Sequence, residues 1–537
     1  MKKHTKAVAF LVLSAILISS LTTGCSGKKA TAAKNTTLTY GLTGDIVSLD
    51  PAFAYDYNTN PVTDQITESL LAYDADNKLI ANLAKSWKCV DPTTYVYEIR
   101  SDVTFSDATP MTIQDVIFSL NRYKDKKTAS YLGWMYSNVT SITKTGTWEI
   151  TVKLSKPDAL WQYVPATSAG DIISKKYYDA HSSNFGKPDG GVLGTGPYVF
   201  KKWTTGSEIQ LEKNTNYWDK TKNIEVTKID YKIIPESTTL VNALTTGQVD
   251  MAVNPPLDMM DQITASKNVN VQMIDSFDID FIAFNCQRAP FNDVNVRKAI
   301  YYAIDRGSIS KNVIKNTGTV ANALPNGQAL WTADKDSWTS YSKSSQDYEY
   351  NLDKAKEYLA KSSMPNGFSC TLICNQDSIK NSIALAAQEA LKKINIDLKI
   401  EKVSADELIS IQFGGKMKDG KRDYDMILAM WESDFPDASG NLAPLHLSSN
   451  SGQGGSNTAA YKNDAVDKLL DKELSSSDQS ERTKLMQQAL TTISNEAPYV
   501  MIDYPKKVLV TNKRIDGYKI NASWVYDMFF KDVHLSK

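Results

Sequence analysis

The chain has 537 residues, too many for one simple hydrophobic core, so two or more lobes are expected. Its 60 Lys+Arg balance 61 Asp+Glu, and so even a mixture gives no electrostatic case for binding nucleic acid. Five cysteines are few for this length. Cys370 and Cys374 lie about 13 Å apart if their segment is a strand, which suits neither a disulfide nor a zinc site, so both are expected to be small buried residues.

Lys2, Lys3 and Lys6 precede an apolar stretch over residues 7–21 that exits through Leu21-Thr22-Thr23-Gly24-Cys25. A charged start, an apolar run shorter than the roughly 20 residues of a spanning helix and a small-residue exit form a secretory signal. The last five residues resemble a bacterial lipobox, with Thr22 where a large aliphatic is favoured. The resemblance implies that residues 1–24 are a lipoprotein signal peptide and that Cys25 is the lipidation site. The body would then be lipid-anchored at the cell membrane on its extracellular face, periplasmic where an outer membrane exists. Residues 25–37, mostly Lys, Ala, Ser and Thr after the cysteine, read as a flexible tether.

Alternation predicts strands over residues 38–42, 94–100 and 147–154, and helical spacing of Ile66, Leu70 and Leu71 predicts a helix over 62–71. Thr112, with Asp115 at N3, caps an expected helix over 113–122. A helix from Ser237 is expected to stop at Gly247, and residues 279–285 form a strongly apolar strand. Asp293 can cap a helix within 292–305, and Asn351 caps one over 352–361. A long amphipathic helix over 378–394 leads into a strand over 397–403, and residues 424–431 form a second buried strand. Asp478 opens a helix ending near Ser494, and short return strands follow at 508–510 and 515–520. Residues 448–456 read as a mobile glycine- and serine-rich surface loop. Helices alternate with strands throughout, which makes the class α/β with covered sheets.

Several runs resemble those of the ABC-transporter extracellular solute-binding proteins of family 5, the oligopeptide, dipeptide and nickel binders. They are Asn82-Leu83-Ala84-Lys85-Ser86-Trp87, the segment from Phe105 through Asp107, Pro110 and Asp115 to Val116, and Gly194-Thr195-Gly196-Pro197-Tyr198. Further on come Leu244, Gly247 and Asp250, then Pro290-Phe291-Asn292-Asp293 with Val296-Arg297, and Ala303-Ile304-Asp305-Arg306. Their order and spacing cover nearly the whole chain after the tether. Ala108 stands where the family favours glycine.

The resemblance implies a two-lobe periplasmic-binding-protein-like fold, type II, in the large family 5 form with an extra subdomain. Lobe one would comprise residues 38–282, with the subdomain at about 55–189, lobe two residues 283–506, and residues 507–537 would return to lobe one. It also implies capture of oligopeptides or dipeptides between closing lobes, delivery to a membrane permease with its ATPase subunits, a monomer, no cofactor and no metal. In Trp431-Glu432-Ser433-Asp434, Asp434 matches the family aspartate that receives a peptide α-ammonium; read without the family, it starts an Asx turn before Pro436. Trp431 faces either a ligand side chain or the protein interior, and Glu432 and Asp437 are expected to be solvated. Phe53, Tyr55 and Tyr57 follow the first strand and are ligand candidates, though aromatic residues serve equally as core. No Arg or Lys lies in residues 373–376 to hold a ligand carboxylate, the nearest base being Lys380.

The same fold could bind another solute: a nickel chelate, an oligosaccharide or an opine. His181, His446 and His534 are far apart, which argues against nickel, whereas 27 tyrosines and 10 tryptophans suit sugar stacking. A secreted hydrolase would need a nucleophile–base or metal constellation, and none is readable, so the chain is expected not to be an enzyme.

Overall fold

The computed structural model describes residues 36–331, 334–526 and 528–536. The signal, the lipobox with Cys25 and most of the tether lie outside the described residues.

The fold is mixed α/β. A twelve-stranded sheet runs through it in the order Tyr198–Thr204, Glu208–Lys213, Lys228–Ile233, Thr37–Leu42, Met251–Val253, Tyr499–Asn512, Asp278–Phe284, Met426–Glu432, Phe368–Asn375 and Ile396–Val403. Val269–Asp275 and Gly318–Val320 also pair with the Tyr499–Asn512 strand. That strand, 14 residues long, belongs to both halves of the sheet. Tyr499, Val500, Met501 and Asp503 pair with Ala283, Ile282, Phe281 and Asp280, whereas residues 506–512 pair with 269–275 and residues 509–511 with 251–253. Short return strands were expected at 508–510 and 515–520; the first is the end of one long strand, because Val508, Leu509 and Val510 are fully buried and continue the ladder begun at Tyr499, and the second is reduced to Ile515–Asp516, which pairs with His534–Leu535.

The apolar contents are divided accordingly. Ile300, Leu372, Leu391 and Leu428 pack on one face of the second half of the sheet, and Phe281, Ile427, Met486 and Tyr499 on the other. Leu38, Tyr231, Leu509 and Trp524 fill the core of the first half. A separate antiparallel sheet, in the order Ala84–Asp91, Thr94–Ile99, Glu149–Leu154 and Val139–Gly146, packs Tyr97, Ile150 and Val152 with Val116 and Leu120 of the helix Ile113–Lys124.

Local chemistry sets many boundaries. The Thr112 hydroxyl accepts from the Asp115 amide while Asp115 accepts from the Thr112 amide, a reciprocal cap at the start of Ile113–Lys124. Asn351, Asp377 and Asp478 cap Leu352–Ala360, Ser378–Lys392 and Gln479–Glu496 in one direction, each side chain accepting from the amide three residues on, and Asp293 caps Val294–Ala303. The helix Ser237–Thr246 ends at Gly247 with φ 79°, the left-handed stop that glycine adopts at little cost. Cys370 and Cys374 are buried free thiols on their strand.

The helix expected over 62–71 is cut short. Asn60–Thr63 is helical, but Glu68–Ser69 and Leu71–Tyr73 are extended. Long-range backbone partners replace the helical ones: Tyr198 donates to Gln65, Gly196 to Ile66 and Leu70 to Gly170. Gly194 and Gly196 make this approach possible, since a Cβ on either would sit 2.1 and 2.5 Å from the carbonyl oxygens of Ile66 and Gln65. The 448–456 loop is tied down by Arg422, which donates to the carbonyls of Ser451 and Gly455.

Candidate functional site

Three neighbouring strands bring buried charge to the centre of the sheet. On Asp278–Phe284, Asp278 and Asp280 project from one face, as strand alternation requires of residues two apart. Asp280 lies opposite Asp503 of the long strand, and Asp278 opposite Glu432 at the end of Met426–Glu432. Lys507, 1% exposed, donates to Asp278 and Glu432 at 2.9 Å each. Lys380, in the first turn of Ser378–Lys392, is ion-paired with Asp280. All of these groups but Glu432 border a cavity of about 750 Å³ whose lining also includes Tyr57, Asn254, Gln376 and Met430.

Just beyond Glu432 the chain leaves the sheet, and Asp434 accepts from the hydroxyls of Tyr526 (2.7 Å) and Tyr55 (3.2 Å). Burial pushes the Asp434 carboxyl up to about 6, against the two tyrosine donors that favour its charged form. Tyr55 keeps 41% of its surface exposed while its hydroxyl end is enclosed, and burial with the nearby Asp434 charge holds that hydroxyl protonated well above the usual range. The Tyr57 hydroxyl donates to Glu432, and its ring lies 4.8 Å from the Lys507 ammonium and 5.4 Å from Trp524.

The residues after Asp434 are anchored in two directions. Phe435, 2% exposed, enters the core of the separate antiparallel sheet, with its ring 5.9 Å from Tyr163 and 6.3 Å from Trp134. Asp437 forms a two-pronged pair with Arg482 at 2.7 and 2.9 Å, and Arg482 also pairs with Glu473 at 2.5 Å. Tyr163 donates to Asp437 at 3.4 Å, and the main chains of Ala159 and Leu474 are joined at 2.8 Å. Residues 433–437 thus touch both sides of the region between the sheets.

Of the candidates from sequence, Asp434, Tyr55 and Tyr57 come together. Trp431 is half-buried, with its indole N–H donating to the Gly440 carbonyl at 2.9 Å and its ring 6.2 Å from Phe413. Phe53 stands apart and packs edge-on to Tyr131 at 5.3 Å. Glu432 and Asp437 were expected to be solvated and are not: Glu432 is 16% exposed beneath Lys507, and Asp437 is 1% exposed beneath Arg482. A carboxylate so placed needs a cation, and each has one. Sequence reasoning did not find Trp524, Tyr526, Lys507 or the Asp280–Asp503 pair. Two aspartates alternating inside an apolar strand were the available signal, because isolated buried charge is costly and rarely accidental.

The profile of bacterial extracellular solute-binding proteins, family 5, matches residues 78–453. The probable D,D-dipeptide-binding periplasmic protein DdpA of Escherichia coli is 28% identical over 499 residues, covering 90% of this chain and 91% of its own. The oligopeptide-binding protein AppA of Bacillus subtilis is 27% identical, covering 96% of each. Among solved structures, the ABC transporter-associated periplasmic binding protein DppA of Helicobacter pylori, in complex with the peptide STSA, superposes with a TM-score of 0.78 at 28% identity, covering 93% of this chain and 98% of its own.

Proposed function

Because this chain belongs to the bacterial extracellular solute-binding proteins of family 5, we propose that it captures peptides for an ABC importer, with Asp434 receiving the peptide α-ammonium. The observation that carries this reading is the Asp434 carboxylate itself, placed beyond the end of a central strand and fixed by Tyr55 and Tyr526 without a cation of its own among its hydrogen-bond partners. A carboxylate already desolvated and oriented makes charge-assisted bonds to an ammonium that water would weaken elsewhere. Relatives described as dipeptide- and oligopeptide-binding support the solute class.

In this reading the lobes are residues 38–282 with 507–537, and residues 283–506, and the Phe435 and Ala159–Leu474 contacts are made when they close. Lys380 is committed to Asp280, so it is not the base for a ligand carboxylate, and longer peptides with a solvated carboxyl end are favoured. Cys25 carries the acyl anchor, and the loaded protein meets its permease at the extracellular face of the cell membrane. The role is capture, without turnover. Calorimetric titration of peptide pools tests it: a saturable heat that is lost on acetylating the peptide N-terminus is expected, and equal binding of acetylated and free peptides overturns the Asp434 assignment.

A further inference from the structure

The cavity floor holds more acids than ammonium groups. Among the described residues Asp278, Asp280 and Asp503 line it beside Lys380 and Lys507, and Lys507 also serves Glu432 outside the lining. At the rim the imbalance has the same sign, with Asp258 and Asp377 against Lys506. The deep members have little access to water, with Asp278, Asp280 and Asp503 only 5%, 3% and 2% exposed.

Each of these three aspartates also has one carboxylate oxygen, Oδ1, that receives no hydrogen bond. Asp280 and Asp503 face each other across the two strands and hydrogen-bond through a proton that burial and the Asp280 charge hold on Asp503, while the Oδ1 atom of each still receives nothing. Lys507 is already shared between Asp278 and Glu432, and Lys380 is held by Asp280. All three aspartates line the cavity of about 750 Å³, which is large enough for a long side chain. Buried carboxylates are tolerated when a cation and donors complete them. Burial pushes Asp278 and Asp503 upward, and the carboxylates beside them, Glu432 and Asp280, push the same way.

We propose that this cavity floor is a subsite for a cationic side chain of the captured solute, so that the protein selects peptides carrying arginine or lysine over neutral ones. The inference rests on the peptide-capturing reading above and adds a specificity to it. A guanidinium offers five donors in a plane and could serve several of these carboxylates at once on settling against the floor, so arginine should lead lysine.

The test is calorimetric titration of the full chain with the tripeptides Ala-Arg-Ala, Ala-Lys-Ala, Ala-Met-Ala and Ala-Glu-Ala, and with agmatine, a guanidinium without a peptide bond. The expected result is a dissociation constant at least tenfold lower for the arginine and lysine peptides than for the methionine peptide, with the glutamate peptide weakest. In Asp503→Asn and, separately, Asp278→Asn, the ratio of basic to neutral affinity should shrink to about threefold or less. Peptides that bind without regard to side-chain charge overturn the subsite and leave peptide capture standing. Agmatine binding without any peptide binding keeps the subsite and removes the peptide reading, and failure of every probe removes both.

Discussion

Tyr526 and Asp434 stand 92 residues apart in sequence and meet at 2.7 Å, hydroxyl to carboxylate, with Tyr55 completing the clasp from the other end of the chain. This geometry aims the acid before any ligand arrives. Asp434→Asn keeps the shape and removes the charge, and should weaken peptide binding by about 10²-fold, since losing one partner of an enclosed charge pair costs about 2–5 kcal/mol. Tyr526→Phe removes one donor, worth about 1–3 kcal/mol when the acceptor is charged, and should have a smaller effect of the same sign. Titration of both variants with one peptide checks the ranking, and Asp434→Asn binding as tightly as the parent would falsify the role of this carboxylate.

The same carboxyl sets a pH dependence. Its ordinary range is near 4, and burial raises it to about 6 in the folded protein. Ligand ammonium favours the ionised form, so binding must expel a proton below about pH 6. Affinity should therefore be flat from about pH 6.5 to 7.5 and fall as pH drops through 6, approaching tenfold per unit. Above about pH 8 the ligand α-amine itself deprotonates and affinity falls again. An acid limb that persists unchanged in Asp434→Asn would assign it to another group.

Arg482 holds two buried acids, Asp437 and Glu473, and all three side chains are at most 2% exposed. Arg482→Met leaves both carboxylates without their cation. The expected loss is about 3–5 kcal/mol of stability, read as a lower urea midpoint at unchanged slope. Burial and the nearby Asp437 charge already press Glu473 toward its protonated form, so acid should rescue part of the loss. Adding Asp437→Asn and Glu473→Gln to the Arg482 variant should recover stability, which a simple loss of packing volume would not allow.

Ala108 sits at φ 67°, a left-handed conformation that costs a residue with a Cβ about 1–2 kcal/mol. Ala108→Gly relieves that strain and gives back part of it as unfolded-chain entropy, for a net gain of about 0.5–1 kcal/mol. A urea midpoint that fails to rise would mean the turn is not strained at this position.

Much of this architecture was readable because local chemistry decided it. The caps at Thr112, Asn351 and Asp478 depend on side chains within three residues of the amides they satisfy, and those helices begin where expected. The 62–71 segment failed because its backbone is claimed by Gly170, Gly196 and Tyr198, each 100 or more residues away, which no short window contains. Glu432 and Asp437 were misplaced for the same reason: their partners Lys507 and Arg482 are distant in sequence, and a carboxylate without its partner in view looks like surface. Asp434 and Tyr55 were reached through the family resemblance, whereas Tyr526, 92 residues from Asp434, carries no signal of its own.

The strand Tyr499–Asn512 pairs with both halves of the large sheet, with a register shift beside Asp503 and with Pro505 in its middle. Any rotation of one half against the other must bend or twist this shared strand. Its middle, near Asp503 to Lys507, is also where the buried ions sit, so a guest on the ionic floor would press on the one segment that both halves hold in common.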